Sequence, residues 1–221
     1  MKKILIIGDS WGCGEWDRVG NSIRHTGLQH YLRRRYYNVY NASIPLSSTL
    51  ELAEQIKTHI DRVGPDYIVA FVPPPFRHGY KGFWLESNVW QDYVDREHEA
   101  AQNGLFEMYK ASKGVPVILL GALQKLYNDW IVNYENMQIA IPSLIEFADP
   151  NTTHFDVWVT DFCKDAPYST SIEVVDNVFH NLKLWDDARY RDSLYPDLAH
   201  PNRKVHWRIY KHLISNNYIT Q

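Results

Sequence analysis

Two short stretches at opposite ends of the chain carry the residue types of nucleophilic catalysis. Gly8-Asp9-Ser10 follows directly on the apolar run Ile4-Leu5-Ile6-Ile7, and Asp197-Leu198-Ala199-His200-Pro201-Asn202 lies about 190 residues later. A serine hydroxyl is a poor nucleophile until a base takes its proton. An imidazole does this at neutral pH, and a carboxylate on its other nitrogen fixes the tautomer and stabilises the imidazolium. Asp197 and His200 lie three residues apart on one turn. The carboxylate can therefore accept the Nδ1–H of His200 while Nε2 faces Ser10. Pro201 restrains the base by barring a helix through the residues before it. Asn202 is suited to cap a helix that follows. The expected roles are Ser10 as nucleophile, His200 as base and Asp197 as the group that orients it.

These residues need a scaffold that brings the two ends together. Residues 3–8 read as a buried strand, and 20–37 as a helix with Leu28, Tyr31, Leu32 and Tyr36 at helical spacing. Val39-Tyr40-Asn41-Ala42 reads as a second strand. Ser48-Thr49-Leu50-Glu51 is a capping box, predicting a helix over 49–63 that stops at Gly64-Pro65. Residues 67–72 form a third apolar strand ended by Pro73-Pro74-Pro75. A helix fits 88–112, closed by Gly114, and a fourth strand fits 115–120. Ile139-Ala140-Ile141 and Phe155-Asp156-Val157-Trp158-Val159 compete for the fifth strand; 172–188 and 202–215 read as helices.

Apolar strands alternating with helices predict a mostly parallel five-stranded sheet covered on both faces, a flavodoxin-like three-layer α/β/α sandwich. One domain spans 1–221, with 121–195 an extended connection that forms part of the substrate rim. Ligands of such sheets bind beyond the carboxyl ends of the strands, where Ser10 falls. If Ser10 opens a helix, its own N–H becomes an oxyanion donor. Gly8 and Gly12 leave room for close backbone approach.

A net charge of −3 predicts neither a nucleic-acid nor an anionic-membrane surface. Arg33-Arg34-Arg35 reads as a solvated helix end. Cys13 and Cys163 make no disulfide framework. The four apolar residues after Lys2-Lys3 are too few for a secretory signal, and no apolar run approaches the ~20 residues of a membrane span, so a cytoplasmic location is the default. His200, His206 and His212 recur every six residues and scatter around a helix, and His154, Asp156, Asp161 and Asp165 read as an acidic loop, so no metal is expected. Asp9 reads as an anchor of its turn, Asn41 as support beneath the site, and Cys13 as a weak competitor to Ser10. Trp11, Phe83 and Trp84 serve either as packing or as a wall for a sugar or acyl group.

The first and last blocks resemble those of the SGNH (GDSL-type) hydrolases, including small bacterial thioesterases and lysophospholipases. The resemblance implies Ser10, Asp197 and His200 as the catalytic triad, with no metal or organic cofactor. The family's second block runs Asn-x-x-x-x-Gly, the glycine N–H being an oxyanion donor; here Asn41 to Leu46 puts Leu46 in that place. The third runs Gly-x-Asn-Asp, and here Pro73-Pro74-Pro75-Phe76 lacks the asparagine. The Leu46 N–H can still donate, and Arg77 or His78 is placed to replace the missing side chain. The expected activity is hydrolysis of a small-molecule or carbohydrate ester. A small acyl group such as acetyl is the first expectation, because Pro45 and Leu46 crowd the acyl side. Longer-chain esters or thioesters are the second. The rival is a binding protein that keeps the fold with weak or no catalysis.

Overall fold

The computed structural model describes residues 1–14, 27–35, 37–73, 90–122, 125–148, 201 and 203–220. Arg77, Asp197 and His200, the helix expected over 172–188 and the strand competing at 155–159 lie outside the described residues, as do residues 20–26 of the first expected helix.

Five strands, β1 (Lys3–Ile7), β2 (Asn38–Asn41), β3 (Tyr67–Val72), β4 (Val117–Gly121) and β5 (Met137–Ile141), pair in the order β2-β1-β3-β4-β5, and every pairing is parallel. The fifth strand falls on the first of the two competing segments and begins two residues earlier than Ile139. Its register with β4 shifts between Leu119 and Leu120.

The strands are apolar on both faces because each face is covered. Ile4, Ile6, Val69, Phe71, Ile118 and Leu120 belong to one buried layer, with residues of α2 (Leu28–Arg33) and of the last described helix (Arg203–Ser215). The alternate residues Leu5, Ile7, Ile68, Ala70, Val72, Val117 and Leu119 belong to the other, with residues of α3 (Thr49–Val63) and α4 (Trp90–Ala111). This is the period-2 alternation of a strand, with apolar side chains sent both ways. Full burial of one such side chain is worth about 1.5–3 kcal/mol, so these strand residues are the main source of cohesion in the sheet.

Helix α3 occupies the residues that its capping box and Gly64 predict. Both halves of the box are made: the Ser48 side chain meets the backbone of the first turn, and the Glu51 carboxylate accepts from the Ser48 N–H at 2.6 Å. Gly64 ends the helix in the left-handed conformation with φ of 54°. Beyond α4 the chain turns through Lys113 (φ 52°) and Gly114 (φ 82°). The β4–β5 connection contains a short 3₁₀ turn at Asn128–Trp130 that carries no clear sequence signal. No described helix is long and apolar enough to cross a membrane.

Candidate active site

The chain leaves β1 through Gly8 and turns sharply into α1 (Ser10–Cys13). Gly8 is required twice over. Its φ is 153°, and a Cβ there would stand 2.8 Å from the Cβ of Phe71. Asp9 is the helix N-cap, fully buried, with Oδ1 accepting the Trp11 N–H at 2.9 Å. The expectation that Asp9 anchors the turn is met. Ser10 is the first helical residue and is 4% exposed. In the order β2-β1-β3-β4-β5 the chain winds one way from β1 to β2 and the other way from β3 onward. The crevice at the carboxyl ends of β1 and β3 is therefore the topological switch point, where ligands of open α/β sheets bind. Ser10 stands at that point.

The β2–α3 loop holds the turn from one side. Asn41 Nδ2 donates to Gly12 O at 2.9 Å, and Asn41 Oδ1 accepts the Ser43 N–H at 3.0 Å. The asparagine thus ties loop to helix, as its reading as support requires. The Ile44 N–H donates to Gly8 O at 3.0 Å. Gly12 lies so close to the loop that a Cβ there would collide with the Ser43 hydroxyl.

Gln55, on α3, completes the clamp. Its Oε1 accepts the Gly8 N–H at 2.9 Å, while Nε2 donates to Gly8 O and to Ser47 Oγ, each at 3.0 Å. One buried amide therefore holds both backbone polar groups of the residue that precedes the Asp9-Ser10 turn. Sequence reasoning missed Gln55. The signal was its position: Leu52, Ala53, Ile56 and Ile60 form the buried stripe of α3, and Gln55 is a polar residue on that stripe. Thr49 Oγ1 hydrogen-bonds Pro73 O, joining the start of α3 to the end of β3. Gly104 lets α4 pack there, since a Cβ on it would stand 2.6 Å from Thr49 Cγ2.

Leu46, the residue in the family's glycine position, has φ of 67° and is 60% exposed. The Ser47 N–H donates to Ile44 O at 3.2 Å. With proline second and positive φ third, residues 44–47 have the pattern of a type II turn, whose third position favours glycine. The backbone conformation that calls for glycine is thus present and carried by a leucine, at a cost of roughly 1–2 kcal/mol. Among the described residues, the Leu46 N–H has no protein acceptor.

Trp11 is 2% exposed and belongs to the core layer containing Phe71 and Val39, a placement that fits packing. Cys13 is buried with its thiol 3.5 Å from Ser43 O. Burial, and then the charge of Asp9, push that thiol up from 9.0 to about 12. It is protonated at neutral pH and is no nucleophile there. His206 is fully buried, its ring centroid 6.0 Å from that of Phe71, and His212 Nε2 lies 2.9 Å from Ala140 O. Among the described residues no cluster of His, Cys, Asp or Glu is placed to hold a metal ion.

No family model and no curated protein matches the sequence. Solved structures do match in shape over nearly the whole chain. One is TesA, 14% identical, covering 97% of this chain and 97% of its own, with a TM-score of 0.53. Another is the lipase/acylhydrolase from Enterococcus faecalis, 13% identical, covering 98% and 95%, with a TM-score of 0.51. Coverage of this extent, at such low identity, establishes the fold alone: this chain has a three-layer α/β/α fold of the SGNH-hydrolase type.

Proposed function

We propose that the protein is a serine-dependent carboxylic ester hydrolase. The observation that carries the reading is the placement of Ser10, at the start of a helix on a clamped turn, at the switch point of the sheet. The Enterococcus faecalis neighbour, described as a lipase/acylhydrolase, points the same way.

In this reading Ser10 Oγ attacks the ester carbonyl and His200 takes its proton. Asp197 orients the imidazole and stabilises the imidazolium. The N–H groups of Ser10 and Leu46 receive the developing oxyanion, and Arg77 stands in for the family's absent asparagine. The C–O bond to the alcohol breaks as His200 returns the proton to it. Water then attacks the acyl-enzyme, giving its proton to His200, and the acid leaves as Ser10 is reprotonated. Removal of one oxyanion donor costs about 2.7–4 kcal/mol in known cases. Two departures favour a binding protein with a silent site: Leu46 in place of the glycine, and Pro75 where the third block carries its asparagine. The first of these weakens because the Leu46 backbone already has the positive φ that glycine favours.

The test is a fluorophosphonate probe followed by peptide mass spectrometry, beside p-nitrophenyl ester turnover by the wild type and Ser10→Ala. An adduct on Ser10, and turnover lost in the variant, are expected. Equal rates in the two proteins, or labelling elsewhere, overturn the proposal.

A further inference from the structure

We infer that Ile44, Leu46 and Leu50 form an apolar ledge that receives the hydrocarbon chain of the ester. The substrate class is then an ester with a medium or long aliphatic chain. The inference rests on the ester-hydrolase reading and names its substrate.

Three observations converge on the ledge. The first is exposure. Ile44, Leu46 and Leu50 are 55%, 60% and 45% exposed, and among the described residues the only other exposed isoleucine, leucine or valine is Val132. Single exposed aliphatics are ordinary on a protein surface. Three within seven residues, in a stretch from Ala42 to Leu50 that holds no charged residue, make a local apolar surface.

The second is strain. Leu46 holds its side chain on left-handed backbone at φ of 67°. Glycine would remove the strain, and asparagine would ease it while presenting a polar surface. Strain kept at a position with two easy remedies points to a use for the side chain. Packing is not that use, because most of the side chain faces solvent.

The third is continuity with the proposed nucleophile. Ile44 donates its N–H to Gly8 O at 3.0 Å, and Ser47, next to Leu46, accepts from Gln55 Nε2, which also holds Gly8. Leu50 is the second residue of α3, directly after Thr49, whose hydroxyl is bonded to Pro73 O at the end of β3. The ledge is thus built on the same loop and helix start that fix the Ser10 turn. In the proposed binding mode the hydrocarbon chain runs from a carbonyl at Ser10 toward this loop, where these three side chains offer aliphatic carbon. The sequence suggested that Pro45 and Leu46 crowd a short acyl group. With Leu46 turned outward, the same residues serve as a surface for a longer one.

The experiment compares the full-length wild type, Ile44→Ser/Leu50→Ser and Leu46→Asn on p-nitrophenyl acetate, p-nitrophenyl octanoate and octyl acetate. Asparagine tolerates left-handed backbone, so Leu46→Asn removes the apolar side chain without adding strain. The expected readout is a fall of about tenfold in the ratio of kcat/KM for octanoate to that for acetate, in both variants, with melting temperatures within a few degrees of wild type. A comparable fall for octyl acetate instead supports the ledge and places it on the alcohol side. Ratios unchanged within twofold for both long esters, in folded variants, overturn this inference alone. Absence of Ser10-dependent turnover of any ester overturns the underlying reading and this one with it.

Discussion

Gln55→Leu tests whether one buried amide holds the turn that carries Ser10. The substitution keeps the size of the side chain and removes three hydrogen bonds, two to Gly8 and one to Ser47. Gly8 O keeps a partner in the Ile44 N–H at 3.0 Å, whereas the Gly8 N–H loses its acceptor. A buried donor left without a partner costs about 1–3 kcal/mol, and each of the other two bonds contributes about 1 kcal/mol. Leucine recovers part of this, because position 55 is only 4% exposed and lies on an apolar stripe. The expected net loss is about 2–3 kcal/mol. In a domain of 221 residues, 1 kcal/mol moves Tm by roughly 2–4 °C, so the variant should melt roughly 5–10 °C lower. Differential scanning calorimetry at neutral pH reads this directly. Gln138→Leu, at an exposed position of β5, is the control and should move Tm little. A Gln55→Leu protein melting within about 2 °C of wild type would refute the clamp. Where the variant folds, a turn no longer held should lower kcat more than it raises KM.

Gly12→Ala pushes a methyl group into the Ser43 side chain and toward Phe71 Cδ2 at 3.2 Å, costing about 1–3 kcal/mol. Adding Ser43→Gly should recover part of the loss in a thermal melt, and no recovery would mean that the obstruction lies elsewhere. Cys13 should resist iodoacetamide at pH 8.5 in folded Cys163→Ser protein and react after denaturation; rapid labelling of the native protein contradicts its burial. The sign of its pH effect follows from the raised folded value. Both states hold the proton below the ordinary thiol range, so the contribution is complete there. It is lost as pH rises from about 9 toward about 12, where the unfolded chain ionises first. Cys13→Ser should therefore flatten the decline of stability over that alkaline range, as read by urea melts at successive pH values.

The parts of the fold legible in the sequence were those dictated by local chemistry. The Ser48–Glu51 capping box and Gly64 set both ends of α3, and the apolar run Tyr67–Val72 set β3 to the residue. Asp9 capping α1 and Asn41 bracing it were readable for the same reason, since short polar side chains beside backbone turns have few other uses. The fifth strand was ambiguous because two short apolar stretches had equal claims, and only pairing with β4 distinguishes them. Gln55 escaped because Gly8, the residue it clamps, lies 47 residues away in sequence, beyond any window of periodicity. The conformation of Leu46 was hidden because leucine gives no cue for positive φ. Pro45 before it was half of the type II signal, and the glycine that completes that signal is missing.

The central place of β1 has a consequence for how the protein is made. β1 is synthesised before both of its neighbours and is an inner strand, paired to β2 on one side and β3 on the other. The turn behind it leans on Phe71 and is gripped by Gln55, so the Ser10 turn stays unfinished until more than sixty residues beyond β1 have been synthesised. At about 5–20 residues per second, the exposed Ile4-Leu5-Ile6-Ile7 segment waits several seconds for its neighbours. During nascent-chain growth that stretch is the natural target for a chaperone, and stalled translation before Phe71 would leave this apolar strand without its β3 partner.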